Sequence, residues 1–104
     1  MAEKSEKKRL SPIHPGRILM EDLHDAGISI NQLSRDLRVP VNRISEIVNG
    51  KRGVTADTAL RLAHYFGTTA QYWMNLQTLY DLELVQESKL KEIRRDVRPL
   101  ATAS

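Results

Sequence analysis

Residues 29–53 read SINQLSRDLRVPVNRISEIVNGKRG, and this stretch decides the fold. Ser29 and Gln32 have the S-x-x-Q spacing of a capping box, and Ile28 and Leu33 occupy the two positions of a hydrophobic staple, so a helix starts here. Ile30, Leu33 and Leu37 form its inner side. It stops near Arg38, because Pro40 disfavours helical geometry at Val39, and the predicted helix is therefore 30–37. Pro40 also suits the start of another helix, in which Ile44, Ile47 and Val48 fall at i, i+3 and i+4 and Asn49-Gly50 supplies the stop. That helix is predicted over 41–48. Leu33, Leu37, Val39, Ile44 and Ile47 then face one another across a tight turn, with the small Ser34 where the two helices come closest. This is the spacing of a helix-turn-helix unit.

The punctuation continues outward from this pair. Upstream, GRILMEDLHDAG (16–27) follows Pro12 and Pro15; Ile18, Leu19 and Leu23 make one apolar stripe and Gly27 takes the C-cap position, which predicts a helix over 16–26. Downstream, Thr55 caps a helix that ends at Gly67 and is expected to hold Ala59, Leu60, Ala63 and Phe66 on its inner side. Thr68 or Thr69 caps a fifth. From Tyr72 to Val85 the apolar residues occupy more of the circumference than one core-facing stripe requires, so something besides the chain's own core is expected to cover that helix. Residues 86–98 alternate in charge and continue it with Leu90, Ile93 and Val97 as the remaining apolar support, and PLATAS beyond Arg98 reads as a frayed end. There is no internal repeat and no strand alternation. The expected organisation is a flexible basic tail (1–12), one folded domain (13–85), and a charged helical extension with a frayed end (86–104).

Composition bounds what such a chain can do. At 104 residues, 40% hydrophobic and 28% charged, it has room for one globular domain, which excludes a two-domain enzyme. Without cysteine there is no disulfide, thiol nucleophile or Cys-type zinc site, which fits a reducing cytoplasm. Apolar runs fall far short of the roughly 20 residues that span a bilayer, and MAEKSEKKRL lacks the apolar segment of a signal peptide. A soluble, cytoplasmic protein without a membrane partner is expected. His14, His24 and His64 are too scattered to mark a metal site. There are no paired carboxylates and no Ser/His arrangement, and GKRG (50–53) lacks the spacing of a phosphate-binding loop, so neither an enzyme nor a cofactor is expected.

The net charge is +3, and the positive segments are the N-terminal tail and residues 29–53. In a helix-turn-helix unit the second helix enters the major groove by its N-terminal end, so Val41, Asn42, Arg43 and, one turn on, Glu46 would meet the bases. Asn42 can pair with adenine, Arg43 with guanine or a phosphate, Val41 with a thymine methyl, and Glu46 can accept from cytosine or orient Arg43. Gln32 and Arg35 beside the first helix N-terminus, and Asn49, Lys51 and Arg52 in the following loop, would hold phosphates. The blander reading for Asn42 and Arg43 is a solvated helix face, and for Glu46 a carboxylate paired with Arg43 or Arg38.

NQLSRDLRVPVNRISEIVNGKRG (31–53) resembles the helix-turn-helix of the Cro/phage-repressor class. More narrowly, HPGRILMEDL (14–23) and NGKRGVTADTALRLAHYFGTTAQYWMNLQTLYDL (49–82) resemble the HigA-type antitoxins of toxin–antitoxin addiction modules, over about residues 13–85. The resemblance implies an all-α, five-helix lambda-repressor-like domain with an extended C-terminal helix. It implies binding to double-stranded operator DNA, repression of the chain's own operon, neutralisation of a cognate RelE-like, messenger-RNA-cleaving toxin, and a homodimer joined through the C-terminal helices. Candidate dimer contacts are Trp73, Leu76, Leu79, Tyr80, Leu82 and Val85, of which Trp73, Leu76 and Tyr80 are also core candidates. A stand-alone regulator without a toxin, or a toxin-sequestering protein whose helix-turn-helix is only a scaffold, are the competing readings. One position departs from the class: Arg38 stands where the turn usually has Gly. If it takes positive φ the side chain costs on the order of 1–2 kcal/mol, so either the turn is relaxed or Arg38 gains a phosphate contact.

Overall fold

The computed structural model describes residues 12–101; most of the basic tail, and residues 102–104, lie outside them. Five helices follow in order: α1 (Pro15–Ala26), α2 (Ile30–Leu37), α3 (Val41–Val48), α4 (Ala56–Phe66) and α5 (Ala70–Asp96), with no strand among the described residues. Local chemistry sets their bounds. Ser29 Oγ accepts from the Gln32 amide at 3.0 Å and opens α2, and Thr55 Oγ1 does the same for Thr58 at the head of α4. Gly27 and Gly67 close α1 and α4 in the left-handed region. Of the two threonines before α5, Thr69 is the cap, accepting from the Tyr72 amide at 3.1 Å, while Thr68 Oγ1 accepts the Trp73 indole N–H at 3.2 Å.

The stripes meet in one core. Leu19 and Leu23 of α1, Leu33 and Leu37 of α2, Ile44 and Ile47 of α3, Ala59 and Leu62 of α4 and Trp73 of α5 are buried together, with Val54 inserted from the α3–α4 loop. Each fully buried aliphatic of this kind contributes roughly 1.5–3 kcal/mol. The short α3 is held by α1 on one side and α2 on the other, while α4 lies against α2 and α5. Close approach of α1 to α3 depends on Gly16: a Cβ there would stand 1.8 Å from the Ile47 carbonyl oxygen.

Two expectations are corrected. Leu60 is 62% exposed, and Leu62 fills the core in its place. Ala59, Leu62, Ala63 and Phe66 recur at i, i+3, i+4 and i+7, and Leu60 is displaced from Ala59 by about 100° around the axis, off that stripe. Trp73, one of the candidate dimer contacts, is 0% exposed within its own chain, tilted against Phe66 and edge-on to Tyr72, so it belongs to the core. Its first-turn position puts it directly over α4. Beyond Gln77 no residue of α5 is buried, although the helix continues unbroken through the charge-alternating segment to Asp96. No helix among the described residues is long and apolar enough to cross a membrane.

Candidate nucleic-acid interface

With Ile44 and Ile47 buried, α3 turns Val41 and Asn42 to solvent, and Arg43 and Glu46 stand half-exposed at its flank. No side chain caps its first turn. Around it, Arg35 and Arg38 at the end of α2, and Asn49, Lys51 and Arg52 after α3, are exposed, and Gln32 is half-exposed at the head of α2. The turn between the helices is tight: Arg38 donates its amide to the Arg35 carbonyl and Val39 to that of Ser34, both at 3.1 Å. Ser34 is buried, its hydroxyl turned back onto the Ile30 carbonyl at 2.8 Å, which leaves room for α3. Arg38 adopts φ 61, ψ 45, so the turn is not relaxed and the strain is real.

The acids pair differently from the expectation. Glu46 faces neither Arg43 nor Arg38; its Oε1 accepts from Arg52, 2.9 Å from Nε and 2.7 Å from Nη2. Arg43 instead reaches α4, where its Nη1 donates to Asp57 Oδ2 at 2.6 Å and lies 3.5 Å from Thr58 Oγ1. The same carboxylate oxygen accepts from Arg61 Nε at 2.9 Å, and Arg61 Nη1 donates to the Leu37 carbonyl at 2.7 Å. A continuous chain thus runs from the end of α2 through Arg61 and Asp57 to Arg43. The guanidinium groups of Arg61 and Arg43 hold the Asp57 carboxyl below its ordinary range. Pairs this exposed are screened by solvent and add little stability, so their consequence is orientation.

Behind the surface, Gln77 ties the α3–α4 loop to α5. Its Oε1 accepts from the buried Val54 amide at 2.6 Å and its Nε2 donates to Asp81 at 3.0 Å. A Cβ on Gly53 would stand 3.0 Å from the end of that side chain, so a larger residue there would push Gln77 aside by a few tenths of an ångström. His14 performs a similar service for α1: Nδ1 accepts from the Gly16 amide at 2.8 Å, and the ring sets its edge on Tyr80, 4.8 Å away. Burial pushes its pKa below the ordinary histidine value, against the opposing pull of the Arg52 carbonyl and Asp81. Asp57, Arg61 and Gln77 were not singled out from the sequence, and His14 was weighed there only as a metal ligand. The i, i+4 spacing of Asp57 and Arg61, and a lone Gln amid the apolar positions of α5, were the available signals. Leu79, Leu82 and Val85 are exposed along α5, whereas Leu76 and Tyr80 are partly covered. Among the described residues no group of His, Asp or Glu is placed to hold a metal ion.

Five helices, a tight α2–α3 turn and an α3 with a buried aliphatic side and an exposed polar head define a helix-turn-helix domain, and the helix-turn-helix family profile matches residues 20–73. Virulence-associated protein I of Dichelobacter nodosus is 50% identical over 84 residues, which are 80% of this chain and 78% of that protein. Among solved structures, an addiction module antidote protein of a HigA family from Coxiella burnetii is 49% identical with a TM-score of 0.82, over 86% of this chain and 98% of that one. Pseudomonas aeruginosa antitoxin HigA, solved with the higBA promoter, is 43% identical with a TM-score of 0.83 over 86% and 98%. The chain belongs to the HigA family of helix-turn-helix antitoxins.

Proposed function

We propose that the chain is a cytoplasmic antitoxin that represses its own operon as a homodimer and neutralises a RelE-like, messenger-RNA-cleaving toxin, acting by binding and not by catalysis. The observation that carries the DNA-binding part is the orientation of α3: Ile44 and Ile47 anchor it while Val41 and Asn42 face outward, with Arg35, Arg38 and Lys51 exposed around them. The Pseudomonas relative was solved with the higBA promoter, which supports promoter binding by this chain. A symmetric dimer would set two copies of α3 about 34–36 Å apart, one turn of DNA, and so requires a palindromic site. Leu79, Leu82 and Val85 on α5 are the residues we assign to that dimer, with Leu76 and Tyr80 at its margin.

The test is a titration of the protein on a duplex of its own promoter and on a scrambled duplex. Asn42→Ala combined with Arg43→Ala should cut the preference for the promoter by about 1–3 kcal/mol for each well-made bidentate pairing with a base that the substitutions remove. An unchanged preference would remove α3 as the reading element. For the toxin, co-expression with the product of the adjacent small reading frame should restore growth. The same double variant should still rescue it if the two activities use separate surfaces.

A further inference from the structure

The guanidinium of Arg43 is already engaged with α4 before any ligand arrives. Its side chain is only 29% exposed, and both contacts it makes to α4, Asp57 Oδ2 at 2.6 Å and Thr58 Oγ1 at 3.5 Å, are made by Nη1. Among the described residues nothing else accepts from the guanidinium, so the Nε–Nη2 edge keeps its donors. A guanidinium presents its five donors in a rigid fork. Two acceptors on Nη1 therefore restrict the plane of the rest, and two parallel donors in that plane match guanine O6 and N7 or two oxygens of a phosphate.

Asp57 is itself immobilised from behind. Arg61 donates Nε to the same Oδ2 at 2.9 Å while its Nη1 is anchored on the Leu37 carbonyl at 2.7 Å, so the carboxylate is referenced to the end of α2. The backing has a second effect. Arg61 keeps the carboxylate neutralised, so Asp57 meets a neighbouring phosphate with its charge already compensated.

We propose that Asp57, backed by Arg61, is a positioning residue that locks the Arg43 guanidinium with its Nε–Nη2 edge toward DNA and converts it from a mobile phosphate contact into a base-reading one. This rests on the DNA-reading function proposed above. Asp57 gains no contact of its own with DNA and acts through Arg43 alone. A freed Arg43 still carries its charge, so losing Asp57 should cost discrimination while leaving general attraction to DNA intact.

The measurement is a double-mutant cycle on the full chain with Asp57→Asn, Arg43→Ala and the pair, each titrated against the promoter duplex and a scrambled duplex. Asp57→Asn should lower promoter affinity by about tenfold, the value of one oriented bidentate pairing, while scrambled-duplex affinity holds or rises. In the Arg43→Ala background the same change should have no further effect on preference. Arg43→Lys, which can still reach Asp57 but has no second donor edge, should behave like Arg43→Ala on the promoter and like the parent on scrambled DNA. Equal losses on both duplexes, a full loss that persists without Arg43, or a retained preference in Arg43→Lys would each overturn the assignment. Asn42→Ala serves as the control. If it abolishes preference and Asp57→Asn does not, only the role of Asp57 falls. If the parent chain shows no preference at all, the DNA-reading function falls and this inference with it.

Discussion

Arg38 carries the clearest local cost in the chain. It is the one non-glycine with positive φ among the described residues, at φ 61, and such a conformation costs a side chain on the order of 1–2 kcal/mol. Glycine would remove that cost but lose about 0.5–1 kcal/mol to its own chain entropy. Arg38→Gly should therefore raise the melting temperature by a few degrees, since about 1 kcal/mol moves a domain of this size by roughly 4–8 °C. If the strain is kept for a phosphate contact, the same variant will bind every duplex more weakly, with a salt dependence reduced by about one phosphate. An unchanged salt dependence would leave the arginine without that role. Gly16 works in the opposite sense. With backbone 1.8 Å from the position of a new Cβ, Gly16→Ala must part α1 from α3 and should destabilise by about 1–3 kcal/mol or more, read as a lowered melting temperature. His14 adds a pH signature. Its folded pKa lies below the unfolded one, so its contribution is complete above about pH 6.5 and is lost as pH falls through the folded value. Melts between pH 7.5 and 5 should show this loss, and His14→Asn, which can cap α1 without titrating, should flatten it.

At the level of helices, the caps were the most readable feature and α5 the least. Ser29, Thr55, Gly27 and Gly67 act on backbone groups within a few residues, so their effect is visible in the chain itself, and all four stand where expected. Thr68 and Thr69 are equivalent by that local criterion. The choice fell to the Trp73 indole, which claims the Thr68 hydroxyl at 3.2 Å and leaves Thr69 to cap. Gln77 shows the same limit more sharply, because its partner Val54 lies on another element and nothing near Gln77 announces it. Gln77→Leu should strand the buried Val54 amide, costing about 1–3 kcal/mol, and speed hydrogen exchange at Val54 and its loop neighbours. If exchange there stays slow, the side chain does not hold the loop. Because Lys51 and Arg52 sit in that loop, α5 and the surface we propose for DNA share a mechanical connection.

Over the whole molecule, the outer face of α5 is left without a partner among the described residues. Leu79, Leu82 and Val85 remain exposed on a helix whose first two turns alone enter the core. Leu82→Glu with Val85→Glu should leave the helix content unchanged, since neither side chain is buried within the chain, while light scattering shows monomer in place of dimer and the melt loses its dependence on protein concentration. Promoter affinity should then fall steeply, because a single α3 forfeits the second half-site. A variant that stays dimeric would move the interface elsewhere. Helix order, the bounds of α1 to α4 and the exposure of Asn42 beside a buried Ile44 could all be read along the chain, because capping groups and stripe spacing operate over one or two turns. Partner choice could not. Arg43 with Asp57, Arg61 with Leu37, the burial of Trp73 and the exposure of Leu60 arise where one helix is laid on another, and that placement depends on packing between residues far apart in the chain, which no local pattern of residue types encodes.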